Sequence, residues 1–320
     1  MESWGWRRDH QRNERAVRQI KMMSAEWRRG LPLYLMILPG LLFFLLFKYL
    51  PMAGLVIAFQ SYNPFEGIFH SDWVGFDNFK RLFTDVDFYR LLANTLTLSA
   101  INLFLFFPAP IILALIINEL GKGFFKKLMQ TVIYLPHFLS WVVVVGLTSL
   151  LFATQDGGIN NWLASNGFAR IELLSDPAYF RPLFLMHNLW KEAGWNTIIF
   201  LAALASVDPM LYEAADMDGA GRWRKLWSVT LPSLRSTIII LFILRLGSVM
   251  EIGYEHVYLL QNTLNLKISN IFDTYVYRQG IQQGDFSFST AVGLFKGLVG
   301  LALIMMANKL SKKAGEEGLY

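Results

Sequence analysis

The sequence predicts an all-helical, polytopic membrane protein with six transmembrane helices. Three observations carry that expectation. The 320 residues are 54% hydrophobic and 17% charged, against roughly 25% charged in soluble domains. Their mean hydropathy is +0.38. The apolar residues are gathered into six blocks, each close to the roughly 20 residues a spanning helix needs. This composition excludes an ordinary soluble globule and any long disordered segment. The chain has no cysteine, so no disulfide, thiolate zinc site or cysteine nucleophile enters the reading.

Residues 1–30 read as a basic cytoplasmic segment. Trp4, Trp6 and Trp27 stand among Arg7, Arg8, Arg12, Arg15 and Arg18. That pattern suits a helix lying on an anionic inner leaflet or a solvated tail obeying the positive-inside rule. It is not a signal peptide, because the apolar run that follows is too long and lacks a small-residue cleavage site. The spans follow within residues 31–310: Leu31 to Phe59, Leu91 to Ile117, Val132 to Ala153, Leu183 to Val207, Leu234 to Leu260 and Thr290 to Ala307. Pro108 and Pro110 predict a kink in the second. Lys48 at the end of the first suits snorkelling. Gly293 and Gly297 in the sixth form a small-residue pair that suits helix packing. Residues 311–320 remain as a cytoplasmic tail. The segments assigned to the inside hold eighteen Lys and Arg against seven outside, which predicts both termini in the cytoplasm.

The loop between the fourth and fifth spans, residues 208–232, has both helix ends marked. Asp208 is a good N-cap and Pro209 suits the first helical position. Gly219 and Gly221 supply the open backbone that ends the helix. Ala214, Ala215 and Ala220 leave a low profile for another protein. From this physics alone it is also a tidy amphipathic loop. The pattern Glu213-Ala214-Ala215, Asp218-Gly219-Ala220, then Leu231-Pro232 resembles the EAA signature of ABC importer permeases.

The resemblance extends over most of the chain, to permeases handling complex oligosaccharides. It rests on Phe47 to Met52, Ala58-Phe59, Asp72 to Phe76, Tyr134 to Phe138, Asp273 to Tyr277, Ala291 to Lys296 and Asn308 to Leu310. Tyr254 after Gly253 departs from it, since Phe usually stands there. The resemblance implies a type I permease fold in a bacterial inner membrane. It implies a second, different permease subunit, two cytoplasmic ATPase subunits and an extracytoplasmic solute-binding protein. The loop from Glu213 to Ala220 is then the coupling helix that docks on an ATPase. ATP and Mg would be used by those ATPases and not bound by this chain.

An ionisable residue inside a span normally faces protein or water. Asn188, Lys191, Glu192 and Trp195 recur at i, i+3, i+4 and i+7, with Asn196 beside them. Glu251, Tyr254, Glu255 and Tyr258 repeat that spacing on the fifth span. Such stripes suit a sugar path, with polar groups meeting hydroxyls and rings covering sugar faces. The same residues also suit ion pairs between neighbouring helices. Lys191, Arg245 and Lys296 outnumber Glu192 and Glu251. If they converge, the field is slightly positive and favours uronate-containing oligosaccharides such as alginate or pectin fragments. If Arg245 pairs with Glu192 or Glu251, the path is neutral.

The chain lacks a phosphate-binding Gly-rich loop, so it cannot itself use ATP. It has neither a His-Glu-x-x-His nor a Gly-x-Ser-x-Gly motif, and its five histidines (10, 70, 137, 187, 256) are scattered, so no catalytic or metal site is expected. Its basic residues follow the membrane rule and form no nucleic-acid platform. Two rivals remain open: a membrane-embedded sugar-lipid transferase, and a permease for a non-sugar solute.

Overall fold

The structure is a computed structural model that describes residues 31–121, 123–313, 315 and 318. The basic N-terminal segment and half of the C-terminal tail lie outside the described residues. The chain divides into two units, one reaching to Val56 and one starting at Ile57. The first contains most of a 29-residue helix, α1 (Leu31–Phe59). Every side chain from Leu31 to Ala53 is exposed, and a helix apolar on all faces is built for lipid or for other helices.

The second unit begins with a two-stranded antiparallel ribbon, Gln60–Ser61 against Asp72–Trp73. A short helix α2 (Asp77–Thr84) follows. Helix α3 (Phe88–Glu119) is the second span. Its expected irregularity takes the form of a π-helical turn at Ile101–Phe106, ahead of Pro108. Proline has no N–H to donate, so the ladder shifts to the Phe107 N–H to Asn102 carbonyl bond.

Two of the six expected spans are not straight rods. Residues 124–138 (α4) and Trp141–Phe152 (α5) meet at 98°, where a single span from Val132 to Ala153 was expected. Pro136 sits in a 3-10 turn there. Ser140 restarts the helix as an N-cap, its hydroxyl accepting from the Val143 N–H at 3.3 Å. A short helix α6 (Gly158–Ser165) leads to α7 (Phe180–Ala205), the fourth span. It turns by 68° into α8 (Pro209–Met217).

The fifth span is the second correction. Helix α9 (Arg222–Gly247) stops at Ser248, and helix resumes only at α10 (Tyr254–Leu260) after Gly253 at φ +102°. The spacing that put Glu251, Tyr254, Glu255 and Tyr258 on one stripe assumed an unbroken helix. Glu251 therefore belongs to non-helical backbone. A short helix α11 (Phe272–Val276) and the long α12 (Phe286–Lys313) complete the chain. The last helix thus runs three residues into the expected tail.

Three apolar clusters hold these elements. One joins Leu82, Phe88, Met250, Phe272, Phe288 and Val292. The next joins Leu98, Val145, Phe184, Val257 and Ile271. The third joins Ala114, Phe200, Leu204 and Leu234. Close backbone approach depends on glycines other than those expected. A Cβ at Gly194 would strike the Ile133 carbonyl, and one at Gly300 the Gly247 carbonyl. Gly293 and Gly297 are exposed, and a Cβ at either would meet nothing within 4 Å among the described residues outside its own helix.

Candidate functional site

A cavity of about 190 Å³ lies where α3, α5, α7 and the 248–253 interruption meet. Asn188, Glu192 and Asn196 reach it from α7, Arg245 from α9 and Glu251 from the interruption. The i, i+4, i+8 spacing puts the three α7 residues one above another on a single face. The Asn188 and Asn196 amide nitrogens donate to carbonyls one turn back, Phe184 at 3.0 Å and Glu192 at 2.8 Å.

Sequence reasoning missed Ser99, Asn102, Trp141 and Ser248, which also line this cavity. Asn102 in an otherwise apolar span is the signal that was available. Its Oδ1 is buried with no hydrogen-bond partner among the described residues. An unpaired buried acceptor is costly to leave unmet, so the cavity offers a place for a hydroxyl or water donor.

Arg245 stands at the junction of this cavity with a second of about 230 Å³, walled by Phe106, Phe107, Ile199 and Leu244. Its guanidinium carbon lies 5.3 Å over the Phe106 ring, a cation–π arrangement. It makes no ion pair within 4.0 Å among the described residues.

Other expected path residues sit elsewhere. Lys191 is 6% exposed and points into the α4–α5 bend. Its Nζ donates to the His137 carbonyl at 2.7 Å, pairs with Glu192 Oε1 at 2.9 Å and lies 5.1 Å over Trp141. The physical reason is the bend. Breaking a helix frees carbonyls that need donors, and no water is available in a bilayer. Glu192 is held from the other side by His137 Nδ1 at 2.8 Å. Trp195 stacks on the His137 ring at 4.4 Å and 2°. Tyr254 packs against Tyr258 and Tyr277 at 5.1 and 4.3 Å and lines a separate cavity. Glu255 is exposed and lines no described cavity.

Lys296 is bound to Asp273, which removes it too from the central cavity. The charge expectation changes accordingly. Of the three basic residues, only Arg245 reaches the cavity, against two carboxylates, Glu192 and Glu251. The field from this chain alone is not positive.

Two of the scattered histidines come together. His187 Nδ1 and His256 Nε2 are 3.1 Å apart, and His187 Nε2 meets Thr148 Oγ1 at 2.8 Å. His256 is sandwiched between Trp141 and Phe184, at 3.8 and 4.9 Å. The described residues hold no group of three such side chains that could bind a metal. The pair therefore ties α5, α7 and α10 together.

At the far end of α7, the loop forms as its caps dictate. Asp208 accepts from the Met210 N–H at 2.9 Å, and Gly219 adopts φ +70°. The Ala220 N–H returns to the Ala215 carbonyl at 2.9 Å. Lys225 pairs with Asp216 at 2.7 Å and Tyr212 bonds Thr230 at 3.1 Å, fastening α8 to the start of α9. Glu213, Ala214, Asp218 and Gly219 are exposed, Ala215 is half-buried and Ala220 is buried.

Residues 106–314 match the family described as binding-protein-dependent transport system inner membrane component. The chain is 57% identical over 288 residues to the polygalacturonan/rhamnogalacturonan transport system permease protein YteP of Bacillus subtilis (strain 168), covering 90% of each. It is 54% identical to protein LplB of the same organism, covering 95% of this chain and 96% of that one. In structure it resembles, at TM-score 0.82 and 40% identity, a chain of the bacterial alginate ABC transporter crystallised with an alginate pentasaccharide-bound periplasmic protein. The match covers 92% of this chain and 99% of that one. On this match and these relatives, the multi-pass chain belongs to the family of binding-protein-dependent inner-membrane transport components, as a permease subunit.

Proposed function

We propose that the chain is one of two different permease subunits in a bacterial ABC importer of oligosaccharides. The cavity carries this reading: amides, carboxylates and a guanidinium converge beside Trp141 where the helices break. Such groups meet sugar hydroxyls, and a ring covers a sugar face. The names of the relatives support a carbohydrate, and the acidic sugars in two of them support uronate-containing chains. The expected positive field does not add to that. Among the described residues Arg245 is the one lysine or arginine lining the central cavity, and in this reading further positive charge comes from the second permease.

In this reading an extracytoplasmic solute-binding protein delivers the sugar, and two cytoplasmic ATPase subunits hydrolyse Mg-ATP. The chain itself is non-catalytic. Both termini face the cytoplasm, as the lysine and arginine asymmetry supports. The exposed α8 surface around Glu213, Ala214 and Gly219 docks on an ATPase. Its movement is passed through the Lys225–Asp216 and Tyr212–Thr230 contacts into α9 and so to Arg245. The cavity then faces one side or the other.

The test is ATP hydrolysis by the reconstituted complex, stimulated by loaded binding protein across a panel of acidic and neutral oligosaccharides. Stimulation by sugars is expected. A complex that ignores all of them, or a chain that purifies without an ATPase and transfers sugar to lipid, would defeat the reading.

A further inference from the structure

Residues 248–253 leave the helix where the apolar α9 ends, and backbone N–H and carbonyl groups taken out of a helix ladder need other partners. Those partners are side chains from other helices. The Ile252 and Gly253 N–H groups both donate to Asp273 Oδ2, at 2.9 and 3.2 Å. Asp273 Oδ1 binds Lys296 on α12. The two side chains are only 13% and 12% exposed. From the opposite flank, the Ser99 hydroxyl on α3 donates to the Val249 carbonyl.

The interruption is therefore tethered on both sides of Glu251. The N–H groups that Asp273 receives lie at the start of α10, where a helix favours negative charge. Lys296 offsets the charge of that carboxylate in turn. The tether also sits between two spaces. Ser248, Val249, Glu251 and Ile252 line the central cavity. Tyr254 and Asp273 line the other, of about 430 Å³. The segment is a wall of the central cavity, and Gly253 at its end adopts φ +102°.

We propose that Asp273 and Lys296 are positioning residues for transport: they fix the 248–253 wall and so set where Glu251 stands in the cavity. The proposal rests on the importer reading for its meaning, but not for its test. Neither residue lines the central cavity, so each acts through backbone. Asp273→Asn keeps the size but cannot form the ion pair with Lys296. Lys296→Met leaves the Asp273 carboxylate buried without its ion-pair partner, which is worse than losing both charges.

The chain has no cysteine, so Glu251→Cys gives it a single thiol, and labelling is read on this subunit after separation from the others of the assembled complex. The measurement is its rate of modification by a small, membrane-impermeant thiol reagent. With Asp273→Asn or Lys296→Met added, the rate is expected to change by about tenfold, the shift that one hydrogen bond to a charged group supports. Lys296→Arg is expected to restore it, and Asp273→Asn with Lys296→Met to fall nearer the parent than Lys296→Met alone. If Lys296→Met does not insert, the near-isosteric Asp273→Asn and Lys296→Arg carry the test. Uptake by Asp273→Asn with Glu251 intact is expected to show a higher KM for sugar with a smaller change in kcat. Rates unchanged in every variant that inserts would overturn the proposal. The labelling needs no sugar, so a complex whose ATPase ignores sugars would remove the importer reading while leaving the labelling result to stand.

Discussion

Lys191 and Arg245 are two cations in apolar helices that the fold uses in opposite ways. Lys191 is buried, with its ammonium divided between the His137 carbonyl and Glu192. Lys191→Met removes one partner of a buried pair, strands the His137 carbonyl and leaves the Glu192 carboxylate with His137 Nδ1 alone. The expected cost is about 3–5 kcal/mol, read as a lower thermal unfolding midpoint of the detergent-solubilised protein. Arg245 faces open cavity over Phe106. Arg245→Gln is expected to leave that midpoint almost unchanged and to reduce uptake of an acidic oligosaccharide more than of a neutral one of equal length. Equal loss of both sugars would return the substrate to an oligosaccharide of unspecified charge. The sequence made the two residues look alike, because spacing reports which residues share a helix face and not what stands opposite. Asn188, Glu192 and Asn196 were legible from their period. Asp273, outside the apolar blocks and far in sequence from the Ile252 and Gly253 amides, was not.

At the scale of elements, apolar blocks located the four helices long and apolar enough to cross a membrane and the two bent pairs, but not where the bent pairs and the fifth block break. A window of hydropathy sums composition, so the block from Val132 to Ala153 read as one span although it holds Pro136 and Ser140, where the chain turns by 98°. Proline marked the irregularity near Pro108. The break at Ser248 carries no proline and depends on tertiary partners, so local reading passed over it. The loop after α7 was legible because its caps are local: Asp208 and Gly219 act within a few residues of themselves. Gly219→Val forces a branched side chain into φ +70°, a conformation costing an L-residue about 1–2 kcal/mol. It and Glu213→Lys are expected to leave membrane insertion intact while uncoupling ATP hydrolysis from uptake. Full transport in both variants would remove the coupling role. Gly194→Val is expected to lower the yield of folded protein, because the Ile133 carbonyl already occupies the space. Gly293→Val, on an open face, is expected to spare the fold, as judged by size-exclusion profiles of the two variants.

For the whole molecule, orientation rests on charge counted over loops rather than on any single contact. Deleting Met1 to Ala25 removes six of the eight basic residues ahead of the first span. Transport is expected to remain detectable while the yield of correctly oriented chain falls, measured by protease accessibility in membrane vesicles. Unchanged yield and orientation would show that Arg28, Arg29 and the later loops suffice.

The α4–α5 bend also places a demand on biosynthesis. Trp141–Phe152 has 12 residues and reaches about 18 Å, well short of a hydrocarbon core of roughly 30 Å. The donor that satisfies its neighbouring His137 carbonyl, Lys191, is 54 residues further along. A ribosome adding about 5–20 residues per second needs roughly 3–11 seconds to supply it. Through that interval the bend has no closing partner, so the nascent chain must either wait inside the insertion machinery or enter the bilayer straight and fold at Leu139 once α7 arrives. The third crossing is thus completed by the fourth, and the order of synthesis is written into the geometry of one lysine.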